Sequence, residues 1–462
     1  MKKKICFIIQ DGASIKNYLY SDIFKKIISN NFQVSLLHSI SNEAIDEVEK
    51  LHNISIESHK IPVFKESFST VILRGIITFS RLKRNKRITN NNTILTNWNP
   101  NSKGIFRSIL YKIIEFIGYI FSFKYSFILR CEKVLNNQYI KNNEAYQKVI
   151  EQINPDIIFN TNQRLVNASC IVEVAKKMKI LTIGSIFSWD NLPKGNLYVK
   201  SNYFFVWSKY MKSELLQYYP EINKQRVIVT GTPQFDFYFN KKLYQSKEDF
   251  FNQYNLNINK KVICFSGDDL KTSPYDEVYL DNIATELMKI NEKIRPQILF
   301  RPCPVDLTDR YDYVLKKHSE IISLAKPIWN FVGNDKTKWN FVYPLYDDVK
   351  TLVNIVLHCN TVINIGSTMA LDFSVLNKSA VYLNYNTNLS KDWSTEMIYN
   401  FQHFKSMPNK NVVFWINKKE EISEVIIKAI KTEKNNKEWL NYIASNVKTA
   451  TDIIVENIKR YE

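Results

Sequence analysis

The chain has 462 residues, 45% hydrophobic and 23% charged, a balance typical of a soluble globular protein with room for two domains. It carries 63 basic against 45 acidic residues, a formal net charge of +18, which indicates an anionic partner. The sequence contains no nucleic-acid-binding module, no apolar run long enough to span a membrane and, among six scattered cysteines, no CxxC pair, so we expect neither a nucleic-acid partner, nor a transmembrane protein, nor a disulfide or zinc framework.

The N-terminal segment predicts a β-α-β unit. The apolar run in "KKICFIIQ" ends after five residues at Gln10 and Asp11, so we interpret it as a first strand and not as a signal peptide. A helical pattern follows, and "FQVSLLH" predicts the second strand. The loop at Asp11–Ser14 therefore lies at the carboxyl end of strand one, where doubly wound sheets bind their ligands.

A basic, aromatic segment then interrupts this pattern. Residues 74–133 contain twelve Lys or Arg and two Glu, including "RLKRNKR" at 81–87, and 105–130 is apolar, aromatic and punctuated by cations. We expect a helical insertion over about 74–145. Two interpretations stay open: an interfacial element that approaches an anionic membrane, or a buried helical hairpin with solvated cationic edges.

Alternating strands and helices resume after this segment and predict two α/β domains, each with a parallel sheet covered by helices. The polar stretch around 236–260 separates them. We expect an N-terminal domain over 1–240, a C-terminal domain over 241–435, and a long amphipathic C-terminal helix within 436–462. Predicted strands, some with the loop that follows, lie at 155–162, 180–191, 203–208, 226–236, 260–269, 296–304, 361–373, 379–385 and 411–416.

The stretch "VINIGSTMALDFSVLNKSAVYLNY" predicts a strand, a tight turn, a helix and a strand. Gly366 permits a sharp turn and close ligand approach, while Ser367 and Thr368 are good helix N-caps whose hydroxyls can also donate to a phosphate. The helix start adds free N–H groups and a favourable dipole. Asp372, one turn further on, can reach a ribose hydroxyl.

Two further strand ends belong to the same predicted domain. Ser266 and Gly267 in "SGDD" follow a strand and can offer backbone N–H groups to a ligand. Arg301 in "FRPCP" ends the next strand, where a guanidinium can hold a phosphate with two hydrogen bonds. Carboxyl ends of parallel strands share one edge, so we expect these groups to face one crevice.

These motifs give the second half a resemblance to the donor-binding domain of GT-B glycosyltransferases, a fold shared with nucleotide-sugar 2-epimerases and polyol-phosphate transferases. "GSTMALDFSVLNKSAVYL" resembles their Gly/Ser-rich turn, "VIVTGTPQFD" resembles the end of their first domain, and "SWDNLPKG" resembles a branch of bacterial surface-polysaccharide transferases. The likeness covers most of 150–400. Cys303 replaces the usual His of the Arg-Pro-His-Pro pattern.

The resemblance implies two Rossmann-like domains facing across a cleft, with the C-terminal helix crossing back to the first domain. It also implies a division of the donor site. Gly366, Ser367 and Thr368 would contact the phosphates, Asp372 the ribose, and Ser266 with Gly267 would line the donor pocket.

The first domain should supply the acceptor site and the base that deprotonates an acceptor hydroxyl. Asp11, after strand one, and Asp190, in the Trp-Asp-Asn trio, are the candidate bases. Arg164 and Asn191 are candidates for binding acceptor or phosphate. His403, in a loop after the donor segment, is positioned to reach the leaving phosphate.

We expect no metal cofactor, because the sequence has no HxH, HExxH or Asp-x-Asp pattern. In such a site, cations and helix dipoles stabilise the leaving phosphate. The expected substrate is a nucleotide sugar, and no other cofactor is implied.

The favoured hypothesis is a metal-independent glycosyltransferase that builds capsule, O-antigen or another surface glycan on a glycan or lipid-linked acceptor. We expect it in the cytoplasm, with peripheral attachment to the inner face of the plasma membrane through 74–133 as an option. The alternatives are a nucleotide-sugar 2-epimerase, which needs no acceptor, a polyol-phosphate transferase, and a non-catalytic GT-B scaffold. The sugar, the nucleotide, the acceptor, the stereochemistry and the oligomeric state are left open.

Overall fold

The structure is a computed structural model that describes residues 2–100, 104–141, 143–195, 197–331, 342–387, 393–432 and 437–461. Two parallel β-sheets with helices on their faces form two α/β domains, which confirms the predicted fold class. Their central strands read as unbroken apolar runs because helices bury both faces of each sheet.

The first sheet has seven parallel strands in the order β3-β2-β1-β4-β5-β6-β7. The order reverses between β1 and β4, which pair from Ile5 opposite Ile157 to Ile8 opposite Asn160. Such a reversal opens a crevice at the carboxyl ends of the two strands. The strands are β1 Lys4–Ile9, β2 Gln33–His38, β3 Glu57–Lys60, β4 Ile157–Asn160, β5 Leu181–Ser185, β6 Tyr203–Val206 and β7 Val227–Val229.

The second sheet has six parallel strands in the order β10-β9-β8-β13-β14-β15, with the same reversal between β8 and β13. A separate antiparallel pair, β11 and β12, lies in the chain between β10 and β13. The strands are β8 Val262–Ser266, β9 Gln297–Arg301, β10 Ile322–Leu324, β11 Trp329–Phe331, β12 Val342–Pro344, β13 Thr361–Asn364, β14 Ser379–Leu383 and β15 Phe414–Ile416.

Helices connect and cover these strands. Those up to residue 218 are α1 Gly12–Ser14, which continues as a π-helical turn over Ile15–Leu19, α2 Ile23–Ser29, α3 Asn42–His52, α4 Phe68–Thr89, α5 Ile105–Phe121, α6 Tyr125–Lys141, α7 Glu144–Ile153, α8 Val166–Lys177 and α9 Lys209–Tyr218. Those that follow are α10 Lys247–Gln253, α11 Asp276–Met288, α12 Asp312–Lys317, α13 Tyr346–His358, α14 Met369–Val375, α15 Thr395–Tyr399, α16 Ile422–Lys431, α17 Lys437–Ile443 and α18 Ala450–Lys459.

Helices α4, α5 and α6 pack together and occupy the basic segment of the sequence. Gly118 lets α5 approach α4 closely, because a Cβ there would lie 3.0 Å from Phe79 Cδ1. Arg81 of α4 is buried, pairs with Glu132 and Glu221, and lies over a tyrosine ring. Within the described part of the chain, no helix is long and apolar enough to cross a membrane.

The C-terminal segment is not the single long helix that its pattern predicted. The helix is interrupted between α17 and α18. There Asn446 adopts a left-handed backbone with φ 55°, and Ser445 N–H donates to Trp207 O at 2.7 Å. This long-range bond to the first domain replaces a helical hydrogen bond. Helix α18 then packs against α2, and the ring of Tyr461 lies 4.6 Å from that of Tyr203.

The two domains touch where the loop after β1 meets β12. A Cβ on Gly12 would lie 2.2 Å from Val342 O and 2.6 Å from Tyr343 Cα, so glycine alone fits this contact. Tyr20 Oη donates to Pro344 O at 3.0 Å beside it. This contact closes one end of the space between the two sheets.

Candidate active site

A cleft of about 760 Å³ lies between the domains, at the carboxyl ends of both sheets. Its walls come from the loops after β1, β4 and β5 on one side and after β8, β9 and β13 on the other. Every site residue predicted from the sequence lines it: Asp11, Arg164, Asp190, Asn191, Ser266, Gly267, Arg301, Gly366, Ser367, Thr368, Asp372 and His403.

The turn after β13 is shaped by Gly366, whose φ is +66°. Asn364 holds the turn by accepting a hydrogen bond from Ser367 N–H at 3.0 Å. Thr368 occupies the N-cap position of α14 without a side-chain capping bond, and Ser367 Oγ makes only a long contact of 3.5 Å with Met369 N. The hydroxyl groups of Ser367 and Thr368 are therefore little used in helix capping, and both residues line the cleft.

Replacing Gly366 by alanine is expected to destabilise the protein by about 2–4 kcal/mol, through left-handed strain and overpacking. The new Cβ would lie 2.9 Å from Phe404 Cζ, next to His403. Chemical denaturation measures the loss. Gly104→Ala is the comparison, because Gly104 also has a positive φ but a Cβ there meets nothing within 4 Å. Equal losses in the two variants would contradict the role of the Phe404 contact.

The "SGDD" turn does not offer free N–H groups, so that expectation is wrong. Gly267 N–H donates to Arg301 O at 2.9 Å, Asp268 N–H to Asp276 Oδ2 at 2.6 Å, and Asp269 N–H to Asp268 Oδ1 at 2.8 Å. The turn satisfies its own backbone. Its contribution to the cleft must come from side chains.

Asp268 is the side chain of this turn that sequence reasoning missed. Burial, followed by the charges of Asp269 and Asp276, raises the pKa of Asp268 to about 8. The carboxyl group is therefore protonated at neutral pH and can donate a proton or a hydrogen bond into the cleft. The pair Asp268-Asp269, close behind the end of a strand, was the feature of the sequence that could have indicated this acid.

Arg301 is anchored rather than free. Its Nη2 donates to both carboxylate oxygens of Asp348, at 3.0 and 2.8 Å, and Asp348 also accepts from Trp329 Nε1 at 2.7 Å. The prediction that Arg301 binds a phosphate through two hydrogen bonds is therefore wrong, because Nη2 is already bound to Asp348. Arg301 Nη1 is buried and has no partner among the described residues, so it remains available to a ligand.

Lys16 is a second residue that sequence reasoning missed. It projects from the π-helical turn after β1, lines the cleft and forms no ion pair with any described residue. Burial lowers the pKa of Lys16, and Asp372 and Asp348 oppose that shift. The apolar spacing of this segment predicts a helix but carries no signal that Lys16 faces the cleft.

Asp372 lies deep in the cleft beside Lys16. It accepts a hydrogen bond from Tyr238 Oη at 2.8 Å, and burial raises its pKa while Lys16 opposes the rise. Gln234 also hydrogen-bonds to this carboxylate, so the protein holds Asp372 through two side chains.

Asp11 acts as a helix cap in the structure. Oδ1 accepts from Ser14 N–H at 2.8 Å, and Oδ2 accepts from Ser14 Oγ at 3.0 Å and Asn162 Nδ2 at 2.9 Å. Because both oxygens are engaged, we assign it no catalytic role. Arg164 lines the cleft nearby, with its N–H donating to Asn162 Oδ1 at 2.9 Å.

Asp190 and His403 meet across the domain boundary. Although burial alone would raise it, the charges of Lys194 and His403 hold the pKa of Asp190 well below its usual range. Asp190 forms an ion pair with Lys194 and accepts from Asn191 Nδ2 at 2.8 Å. Asn191 therefore orients Asp190, and Asp190 itself is charged at neutral pH.

Burial lowers the pKa of His403 to about 4, while Asp190 opposes the shift. The imidazole is thus neutral at pH 7 and able to accept a proton. Its ring stands edge-on to Trp189 with centroids 4.7 Å apart. Trp189 Nε1 is buried without a partner among the described residues.

The described residues contain no group of three His, Cys, Asp or Glu side chains arranged to hold a metal ion. The cleft instead carries nitrogen donors. Lys16 forms no ion pair, and Arg301 Nη1 and Trp189 Nε1 have no partner in the described part of the chain. Buried donors are nearly always satisfied, so unpaired ones around a cleft indicate a ligand with several acceptor atoms.

No protein-family model and no curated protein matches the chain. Solved structures do match it over almost its whole length. The UDP-GlcNAc 2-epimerase of Methanocaldococcus jannaschii has a TM-score of 0.56 at 14% identity, covering 99% of this chain and 100% of that one. The enzyme of the same description from Neisseria meningitidis, bound to UDP-GlcNAc, has a TM-score of 0.52 at 12% identity, with coverage of 99% and 100%.

A glycosyltransferase from Rickettsia africae has a TM-score of 0.51 at 12% identity, covering 100% of this chain and 98% of that one. At such identities the likeness shows the fold. The fold is of the GT-B type, two Rossmann-like domains across a cleft, as the sequence motifs predicted.

Proposed function

We propose that the protein is a glycosyltransferase that moves a sugar from a nucleotide-activated donor to a surface-glycan acceptor. The observation that carries the proposal is the set of unpaired donors at the domain boundary: Lys16, Arg301 Nη1 and Trp189 Nε1. A diphosphate supplies the acceptor oxygens that these groups lack. The fold supports the proposal, because structures that share it include a glycosyltransferase and an enzyme bound to UDP-GlcNAc.

In this proposal the donor lies against the second domain. Lys16 and Arg301 Nη1 bind the diphosphate, with the hydroxyls of Ser367 and Thr368 beside them, and Asp372 binds the ribose. These charges stabilise the negative charge that develops on the leaving phosphate. Asp268, protonated at neutral pH, donates its proton to that phosphate or hydrogen-bonds to it.

The acceptor approaches from the first domain. His403 takes the proton of the acceptor hydroxyl, whose oxygen forms the new bond to the sugar while the bond from the sugar to the phosphate breaks. Asp190 stabilises the imidazolium that results. Arg164 and Asn191 lie on the acceptor side of the cleft. Arg164 binds the acceptor, and Asn191 orients Asp190.

A nucleotide-sugar 2-epimerase is the second candidate. Two groups able to transfer protons, Asp268 and His403, line the same cleft, as an epimerase would require. The fold, which is shared with UDP-GlcNAc 2-epimerases, also supports this candidate. Epimerisation needs no second substrate. The requirement for an acceptor therefore separates the two functions.

Nucleotide release from a panel of radiolabelled nucleotide sugars, with and without a polyprenyl-diphosphate-linked oligosaccharide, tests the proposal. We expect release with one donor, only when the acceptor is present, and unchanged by EDTA because the proposed chemistry uses no metal. An epimerised sugar formed without acceptor would favour the epimerase. Neither reaction with any donor would contradict both and favour a non-catalytic scaffold.

A further inference from the structure

Helix α5 carries large apolar side chains on opposite sides. Ile114 and Gly118 face α4 and are buried. The opposite side repeats apolar residues at helical spacing and leaves them open, with exposed fractions between 47% and 83%. We call this the outer face of α5, and it consists of Ile105, Phe106, Ile109, Ile113, Phe116 and Ile120.

Such a contiguous apolar face indicates an interaction surface, since single exposed apolar residues are ordinary but a whole helix face is not. The buried-hairpin interpretation holds for the inner side alone. The outer face requires an occupant.

The charges around the outer face identify the kind of occupant. Arg107 and Lys112 of α5 are exposed, Arg87 lies 4.3 Å from the ring centre of Phe123, and Lys83 lies 5.6 Å from that of Tyr119. Residues 74–133 hold twelve cations and two Glu. An anionic surface complements this rim, whereas a second copy of the chain would bring like charges together.

The length of α5 fits a helix that lies on a bilayer. It has 17 residues, and its exposed Lys112 borders the apolar face, whereas Arg107 lies on the same side of the helix as Ile114. Apolar side chains on one side with cations at the rim are typical of helices that bury one face at the boundary between headgroups and acyl chains.

The segment between α4 and α5 connects this surface to the cleft. Asn92–Asn97 forms a helical turn, part of which lines the cleft. The preceding Asn91 donates from Nδ2 to Asn400 O and to Gln402 Oε1, both at 2.9 Å, next to His403. Trp98 then ties this turn to α5 by donating to Glu115 Oε1 at 2.7 Å.

We propose that the outer face of α5 docks on an anionic lipid bilayer and holds the rim of the cleft at the lipid surface. A further consequence rests on the proposed function: the acceptor is carried by a lipid and enters the cleft beside Asn92–Asn97. Bilayer docking itself requires neither nucleotide nor catalysis.

Co-sedimentation of the full chain with vesicles tests the docking. We expect binding to vesicles of phosphatidylcholine with phosphatidylglycerol and much weaker binding to phosphatidylcholine alone. Ile109→Asp/Phe116→Asp should weaken binding at least about a hundredfold, because each side chain leaves the apolar layer. Ile294→Asp is the matched control, being 66% exposed on the second domain, and should bind as wild type.

A charge variant tests the rim without disturbing apolar packing. Lys112→Gln should weaken binding to the anionic vesicles about fivefold. No wild-type binding, or equal binding by Ile109→Asp/Phe116→Asp, would overturn the proposal. Wild-type self-association that the same pair disperses would also overturn it, by making the face an interface between copies. Failure of nucleotide binding in the absence of vesicles would instead overturn the proposed function.

Discussion

Replacing Lys16 by methionine is expected to lower kcat for sugar transfer about 10²–10³-fold, the usual cost of removing a preorganised group that stabilises transition-state charge. Methionine keeps most of the side-chain length and its apolar stem while removing the ammonium group. Lys16 reaches the cleft from the first domain and forms no ion pair with a described residue, so its amino group is open to an anionic ligand, whose charge would oppose the lowering of the Lys16 pKa by burial. Steady-state kinetics with the accepted donor measure the effect.

Lys25→Met is the matched control, because Lys25 is exposed on the neighbouring helix α2. It should leave kcat and the stability unchanged. A Lys16→Met enzyme with the wild-type rate would contradict the assignment of Lys16 to the leaving phosphate. A rise in KM with kcat unchanged would show that Lys16 binds the ground state and the transition state equally.

Asp268→Asn is expected to lower kcat about 10²–10⁴-fold, since an amide cannot transfer the proton that the carboxylic acid supplies. In wild type the rate should fall as pH rises through about 8, where Asp268 ionises, and as pH falls through about 4, where His403 becomes protonated. The variant should lose the alkaline limb and keep the acidic one. The pH dependence of kcat/KM, which reports the free enzyme, measures both limbs.

The same substitution has a stability signature. Native Asp268 keeps its proton up to about pH 8, whereas in the unfolded chain an aspartate loses it near pH 4. The native state therefore binds the extra proton between these values, and the wild-type free energy of unfolding should decrease as pH rises across that window. Asp268→Asn should decrease less. Asp309→Asn, at an exposed position, is the control and should behave as wild type in both measurements.

The sequence predicted the two sheets and the location of the cleft because strand ends are local features. Strands β1, β4, β8 and β13 are short apolar runs, and polar or glycine residues lie at or just after the end of each one. All parallel strands of a sheet deliver those residues to one edge. Residues 366–368, Ser266 and Arg301 could therefore be placed together without knowing any contact.

Local strand and turn patterns could not predict contacts between residues that are distant in the sequence. The ion pair of Arg301 with Asp348, 47 residues along the chain, leaves one guanidinium nitrogen open where the sequence suggested two. The second carboxylate oxygen of Asp11 accepts a hydrogen bond from Asn162, which belongs to another loop. Asn446 breaks the C-terminal helix because Ser445 bonds to Trp207, more than two hundred residues away.

Helix α5 shows a different limit. Its residues are apolar around most of the helix, so periodicity cannot separate the side that α4 buries from the side that stays open. The packing of α5 on α4, where Gly118 lies against Phe79 and Ile114 lies against Gly75, fixes the rotation of α5 about its axis. That rotation turns Ile109 and Phe116 outward.

Calorimetric titration of the purified protein with UDP, CMP, GDP, dTDP and CDP, without added metal, tests the central claim most directly. The account predicts that one of these nucleotides binds selectively. Ser367→Ala/Thr368→Ala and Lys16→Met should each weaken that binding. Failure of every nucleotide to bind would contradict the claim that the cleft holds an activated sugar by its phosphates.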